Sequence, residues 1–322
     1  MTRALPVAAV LALASVLQSF AQSPPPGEPP VSAGGVQAVK VQGNVWMLAG
    51  AGANIAVQAG DEGVLVVDTG ASGLTDSVIA AVRRISERPI RYVVNTSISP
   101  QHVGGNATLG ALSGGTTGRE RGAIPRLIAQ ENVFIKMSRP GPNGQSPFPG
   151  AAWPSDGYYG AQRNLVFNGE VVDIIHQPAA HSDGDSLVYF RGSNVLVSGD
   201  VYTTTSLPLV DRSQGGSLRG LVTALNRMLD ITVADDLAEG GTYVIPGHGR
   251  ISDEADVAEY RDMAHILRDR FDALVVKERL TVAQVKERRP LIGWERRYSR
   301  PEWTSDMFID AMYAEFRPGS TR

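Results

Sequence analysis

The chain of 322 residues contains no cysteine. That absence removes disulfides, thiolate metal ligands, a cysteine nucleophile and a lipidated N-terminal cysteine together, so any metal must be held by histidine, carboxylate or amide oxygen. Histidine is scarce too, with five in the chain, and there is no excess of basic charge: 30 Lys and Arg stand against 33 Asp and Glu, a formal net charge of -3. Nucleic acids and anionic membranes are recognised through clustered Lys and Arg, so neither is expected as a partner; a small molecule or a protein is. A long apolar run is also missing, except at the N-terminus. There "ALPVAAVLALASVLQSF" follows Arg3 and ends near Ser19-Phe20-Ala21. This run is shorter than the roughly 20 residues that span a bilayer and carries a small-x-small cleavage site. It reads as a signal peptide, residues 1–21, cut after Ala21, with a periplasmic or secreted product and no stable membrane anchor.

With 43% hydrophobic and 20% charged residues, the rest of the chain can bury a sizeable core. Residues 22–35, "QSPPPGEPPVSAGG", are too rich in proline and glycine for a core element and read as a disordered linker. Short β-like runs follow, among them "VWMLAG", "NIAVQA" and "GVLVVDTG"; helical spacing appears over Leu74 to Ile85, and "PIRYVVNT" returns to a strand. "LIAQENVFIKM" reads as helix-like. Residues 139–162 form a long Pro/Gly-rich loop whose Trp153, Tyr158 and Tyr159 are candidates to wall a substrate pocket, beside Phe148. Strands at "VVDIIHQ", "SLVYF" and "NVLVSGD", a helix from Ser217 to Leu229, a strand "TYVIPGHG" and two C-terminal helical stretches complete the pattern.

Three of the five histidines, His102, His181 and His248, stand in Gly/Ser/Asp-rich turns at the ends of these strands, which is where a rigid scaffold presents metal ligands. His176 and His265 read as an ordinary strand residue and a helix-face residue. The segments "VLVVDTG", "QHVGGN", "HSDGDSLVYF", "VLVSGD" and "PGHG" occur in an order that resembles the metallo-β-lactamase superfamily, over roughly Val36 to Leu274. The resemblance implies an αββα four-layer sandwich for residues 36–274, with 275–322 as a C-terminal helical extension.

It also implies a ligand set. In that family a His-x-His-x-Asp-His motif, a later His, an Asp and a final His hold two metals; here the motif falls on Ser97, Ser99, Gln101 and His102, and the later ligands on His181, Asp200 and His248. Ser97 and Ser99 leave the first metal position with only His181 and the shared Asp200, and serine hydroxyls are poor zinc ligands, so this position is expected to be empty. The second position keeps His102, Asp200 and His248 and lacks only the carboxylate that Gln101 replaces. Two histidines and a carboxylate suffice for one zinc with an open coordination position, and the same set suits iron; Gln101 and His181 are possible additional ligands. Gln101 cannot exchange a proton near neutral pH, so the base falls to His181 or Asp200. By the same resemblance Asp68 braces the 95–102 loop without touching a metal; turn chemistry, independently, has Asp183 and Asp185 close the turn after His181. Two functions from different classes are therefore expected of this sequence: an exported one-metal hydrolase of a small ester, thioester or amide-like molecule, or a metal-free, catalytically inactive binding or regulatory homologue.

Overall fold

The structure is a computed structural model that describes residues 35–112, 124–141, 143–235, 237 and 240–319. The expected signal peptide, and the expected linker apart from Gly35, lie outside the described residues.

Two sheets face one another. The first contains β1 (Gln37–Gln42), β2 (Val45–Ala51), β3 (Ala53–Gly60), β4 (Gly63–Val67), β5 (Ile90–Val94), β6 (Arg126–Gln130) and β7 (Asp156–Tyr158), side by side in chain order. β1 to β4 are an antiparallel meander, and β4 to β7 are parallel. The change of sense follows from the connections, since parallel neighbours need a crossover segment: α1 (Thr75–Ile85) lies between β4 and β5, α2 (Pro100–Val103) and α3 (Asn106–Gly110) between β5 and β6, and α4 (Glu131–Ser138) between β6 and β7. The second sheet runs β12 (Tyr243–His248), β11 (Val195–Thr203), β10 (Asp185–Phe190), β9 (Glu170–Gln177), β8 (Gln162–Phe167). Its β12 lies parallel to β11, joined through α5 (Leu218–Ile231).

Alternation along the strands makes the layers. In β4, Leu65 and Val67 point between the sheets, where they join Met47, Val94 and Ile128 and meet Val172, Ile174, Val188, Val197 and Ile245 of the second sheet. Val64 and Val66 of the same strand point the other way, onto Val78, Ala81 and Val82 of α1. All five β4 residues are buried, as a central strand covered on both faces requires. The outer face of the second sheet, with Leu187, Leu196 and Val244, is covered by Leu221, Leu225 and Met228 of α5 and Val257 and Leu267 of α6 (Glu254–Phe271). The order is helix, sheet, sheet, helix, the αββα sandwich expected from the sequence.

After α6 the chain continues as a π-helical stretch, Asp272–Lys277, then α7 (Val282–Glu287), α8 (Glu295–Tyr298) and α9 (Ser305–Phe316). Thr281 and Gln284 form a capping box that starts α7. Val285, Leu291, Tyr298, Phe308, Met312 and Phe316 of this C-terminal part belong to the same buried cluster as α5 and α6.

One element differs from the sequence expectation. "LIAQENVFIKM" is not one helix: β6 occupies its first part and a helix follows at Glu131–Ser138, the boundary being Gln130, whose side chain accepts from Asn132 N at 2.6 Å. The run is apolar enough for either element, and an open ladder position between β5 and β7 decides the first half.

Candidate metal centre

The loop from β5 to His102 is shaped by one carboxylate. Asp68 follows β4 with φ of 65°, a left-handed conformation that is uncommon outside glycine. Its Oδ1 accepts from Thr96 N at 2.8 Å, and its Oδ2 accepts from Thr96 Oγ1 at 2.6 Å and from His102 Nδ1 at 2.7 Å. His102 itself sits on a single helical turn, Pro100–Val103, opened by proline at its first position. Its carbonyl accepts from Thr69 N at 2.7 Å and Thr69 Oγ1 at 3.0 Å. Asn95 and Asn106 exchange reciprocal amide bonds of 3.0 and 2.8 Å beneath it.

Asp200 comes from β11, in which every residue is buried, and His248 ends β12. Gly199, with φ of 52°, precedes Asp200, and a Cβ there would lie 2.3 Å from Thr96 Oγ1, so the second sheet approaches the β5 loop at a point that accepts only glycine. Asn54 of β3 ties the two sheets together behind His248, donating to Pro246 O at 3.0 Å and Gly249 O at 2.9 Å. His181 is fixed through its backbone, its carbonyl accepting from Asp211 N at 2.8 Å.

These elements gather three imidazoles around one carboxylate. Asp200 Oδ1 lies 3.1 Å from His102 Nε2 and 3.2 Å from His248 Nε2, and its Oδ2 lies 3.5 Å from His181 Nε2. One ligand atom each of His102, Asp200 and His248 lies within 4.8 Å of the other two. Because Nδ1 of His102 points at the Asp68 carboxylate, Nδ1 carries a hydrogen, and in its neutral form the ring turns a lone pair on Nε2 toward Asp200. His102 Nε2 and Asp200 Oδ1 are both buried and neither has a hydrogen-bond partner. With the ring neutral, two buried lone pairs face each other at 3.1 Å, which a proton on Nε2 or a metal cation between them relieves.

The proton affinities express the same need. Burial works to lower the pKa of His102, but the charges of Asp200 and Asp68 outweigh it and hold the imidazolium well above its ordinary range. Burial likewise works to raise that of Asp200, and the His102 and His181 rings overcome it, leaving the carboxyl well below its ordinary range. A proton or a cation satisfies this arrangement, and a set of two imidazoles and a carboxylate with a second carboxylate behind one ring fits zinc or iron.

The remaining candidates fall outside the trio. Ser97 is buried, and its hydroxyl accepts from Ser99 N at 3.2 Å. Gln101 is exposed and makes no side-chain hydrogen bond to a described residue; at about 100° per residue, the helical turn that aims His102 inward carries its predecessor outward. His176 donates or accepts through Nε2 at Asp183 O, 2.8 Å away, and His265 lies on the exposed face of α6.

A cavity of about 510 Å³ adjoins the centre on its His181 side. Of the aromatic residues in the long loop, Phe148 lines it, whereas the expected Trp153, Tyr158 and Tyr159 do not. Tyr158 is instead a core residue between the sheets, its hydroxyl 2.7 Å from Ser186 Oγ, because it is the last residue of β7 and the strand turns it inward. Tyr159, next along, is 74% exposed. Trp153 donates to Phe148 O at 3.1 Å and stacks edge-on with Phe134, so it supports Phe148 from behind. Lys136 and Arg139, which also line the cavity, carried no motif in the sequence; only the fold brings the helix after β6 to His181.

Comparison with solved structures finds the same sandwich. The stereoselective inverting sec-alkylsulfatase Pisa1 from Pseudomonas sp. superposes with a TM-score of 0.64 at 16% identity, over 87% of this chain and 50% of that one, so the chain spans half the length of that enzyme. A metallo-beta-lactamase from Pontibacter korlensis gives 0.55 at 14% identity, over 71% and 99% of the two chains. The DIM-1 metallo-beta-lactamase gives 0.54 at 17%, over 74% and 99%. No curated protein sequence matches the chain. The sequence profile of the metallo-beta-lactamase superfamily matches residues 43–249, from β2 to the turn after His248, and thus encloses every residue of the centre: the chain belongs to that superfamily.

Proposed function

We propose that the protein is an exported hydrolase that works with one metal ion, zinc being the ion its donors suit best and iron the alternative, on a small ester, thioester or amide-like molecule. The observation that carries this reading is the convergence of His102 Nε2, Asp200 Oδ1 and His248 Nε2, two of them buried without a hydrogen-bond partner. Zinc in such a set supplies Lewis acidity toward water and toward a substrate carbonyl. The chain's own contributions are separable from that. Asp68 keeps the proton of His102 on Nδ1 and fixes the ring. His181, half-buried at the cavity wall, is the residue to which this reading gives the transfer of a proton from water to a leaving group. Asp200 Oδ2, 3.5 Å from His181 Nε2, sets a negative charge beside that ring.

The replacement of two ligand positions by Ser97 and Ser99, together with the outward Gln101, favours a second reading, a metal-free binding protein that keeps the cleft. Metal analysis of protein purified without chelator, followed by zinc titration, separates the two. The hydrolase reading expects about one equivalent of zinc, a rise of thermal midpoint with excess zinc, loss of uptake in Asp200→Asn and about 10- to 100-fold weaker uptake in Asp68→Asn. Less than about a tenth of an equivalent, with no uptake on titration, would leave the binding protein standing.

A further inference from the structure

The cavity meets the centre at an unexpected place. Of the residues aligned with the family's ligands it touches Ser99 and His181, two of the three that complete the first metal position in two-metal relatives, and not His102 or His248. Ser99, with its short side chain, and His181 border the cavity here, while Ser97 is buried away from it.

The walls define what fits. Ile98, Pro100, Pro147 and Phe148 make one apolar side. Two cations and one carboxylate line the rest, and their partners differ. Lys136 Nζ is held 2.5 Å from Asp183 Oδ1 and 2.5 Å from Gln214 O. The Asp211 carboxylate accepts from Ser213 Oγ at 2.6 Å and from Gln214 N at 3.2 Å, and so spends its charge on its own turn. The guanidinium of Arg139, just past the end of the helix Glu131–Ser138, has no ion pair, hydrogen bond or ring contact with any described residue. Arginine binds planar anions with two parallel N–H donors, and one free guanidinium matches one anionic group. A volume of about 510 Å³ is that of a small-molecule site.

We propose that this cavity binds a monoanionic amphiphile. Its acidic group lies on Arg139, its apolar body along Ile98 and Phe148, and the bond to be broken toward Ser99 and His181. The fate of the bound molecule rests on the hydrolase reading above; its binding does not.

The test is therefore run in chelator. Isothermal titration calorimetry on the full chain compares 4-phenylbutyrate with its neutral twin, 4-phenylbutyramide. The acid is expected to bind about tenfold more tightly than the amide. Arg139→Gln should bring the two to parity, Arg139→Lys should keep part of the preference, and Phe148→Ala should weaken both probes by a similar factor. Arg139 is exposed, so its variants are expected to keep the wild-type thermal midpoint. Equal binding of acid and amide, no heat with either probe, or a preference that survives in Arg139→Gln would overturn the proposal. A protein that passes this test and takes up no zinc retains the ligand class and loses the hydrolase reading; one that takes up zinc and fails here keeps the centre and loses the anionic ligand.

Discussion

Asp185 shows how a single buried side chain can tax the fold beside the site it supports. It is 1% exposed, and its carboxylate accepts both Ser182 N and Ser182 Oγ at 2.6 Å, which closes the turn after His181 as expected. Burial outweighs those bonds and the nearby His181 charge, and pushes the carboxyl up to about 6 from an ordinary 3.8. With the native pKa the higher, the native state holds more protons than the unfolded chain between those values, so this residue's contribution to stability falls as pH rises through that window. The loss is on the order of 3 kcal/mol when complete. Urea unfolding of wild type and Asp185→Asn between pH 4 and pH 7 checks it: the wild-type advantage should shrink with rising pH and level off near neutrality, and a constant difference would refute the cause. The neighbouring Asp183, expected in the same turn, instead pairs with Lys136. Turn chemistry is local and legible from a short stretch; the pairing of Asp183 is made by tertiary packing and leaves no local signal.

At the scale of elements, the site depends on how tightly β11 approaches the β5 loop. Gly199→Ala combines a positive φ with a Cβ driven into Thr96, the residue that Asp68 holds against His102. The expected cost is about 2 to 4 kcal/mol, together with weakened zinc uptake because Asp200 is displaced. Gly73→Ala, which meets nothing within 4 Å, is the control and should stay within about 0.5 kcal/mol. Denaturant midpoints for the two variants measure both. The strands on which this depends were readable because β-branched runs such as "GVLVV" are interrupted by glycine and aspartate where the chain turns. The β6 strand and the helix after it were not, since an apolar stretch of that length suits either element until its neighbours are known. For the same reason the sequence points to Trp153, Tyr158 and Tyr159 for the cavity wall: composition marks a loop as aromatic, and only strand register tells which ring faces the core.

For the whole molecule, the C-terminal residues beyond the superfamily match are part of the core. A chain ending at Glu278 would lose Val285, Leu291, Tyr298, Phe308, Ile309, Met312 and Phe316 from the cluster that covers the second sheet. At about 1.5 to 3 kcal/mol for each large side chain, that loss rivals the ~5–15 kcal/mol by which domains are stable. The shortened chain is expected to lack a cooperative unfolding transition and to bind a hydrophobic dye; a sharp transition near that of the full chain would show the segment to be an appendage.

The residues of the centre are shared between the sheets, Asp68 and His102 attached to the first, Asp200 and His248 to the second. Neither half holds a site alone, so the constellation comes into being only when the two sheets dock. A cation seated among these residues would then act on the rates unequally. It would lengthen the lifetime of the docked state while scarcely changing how fast docking occurs, making the centre a latch against unfolding as well as a place for chemistry.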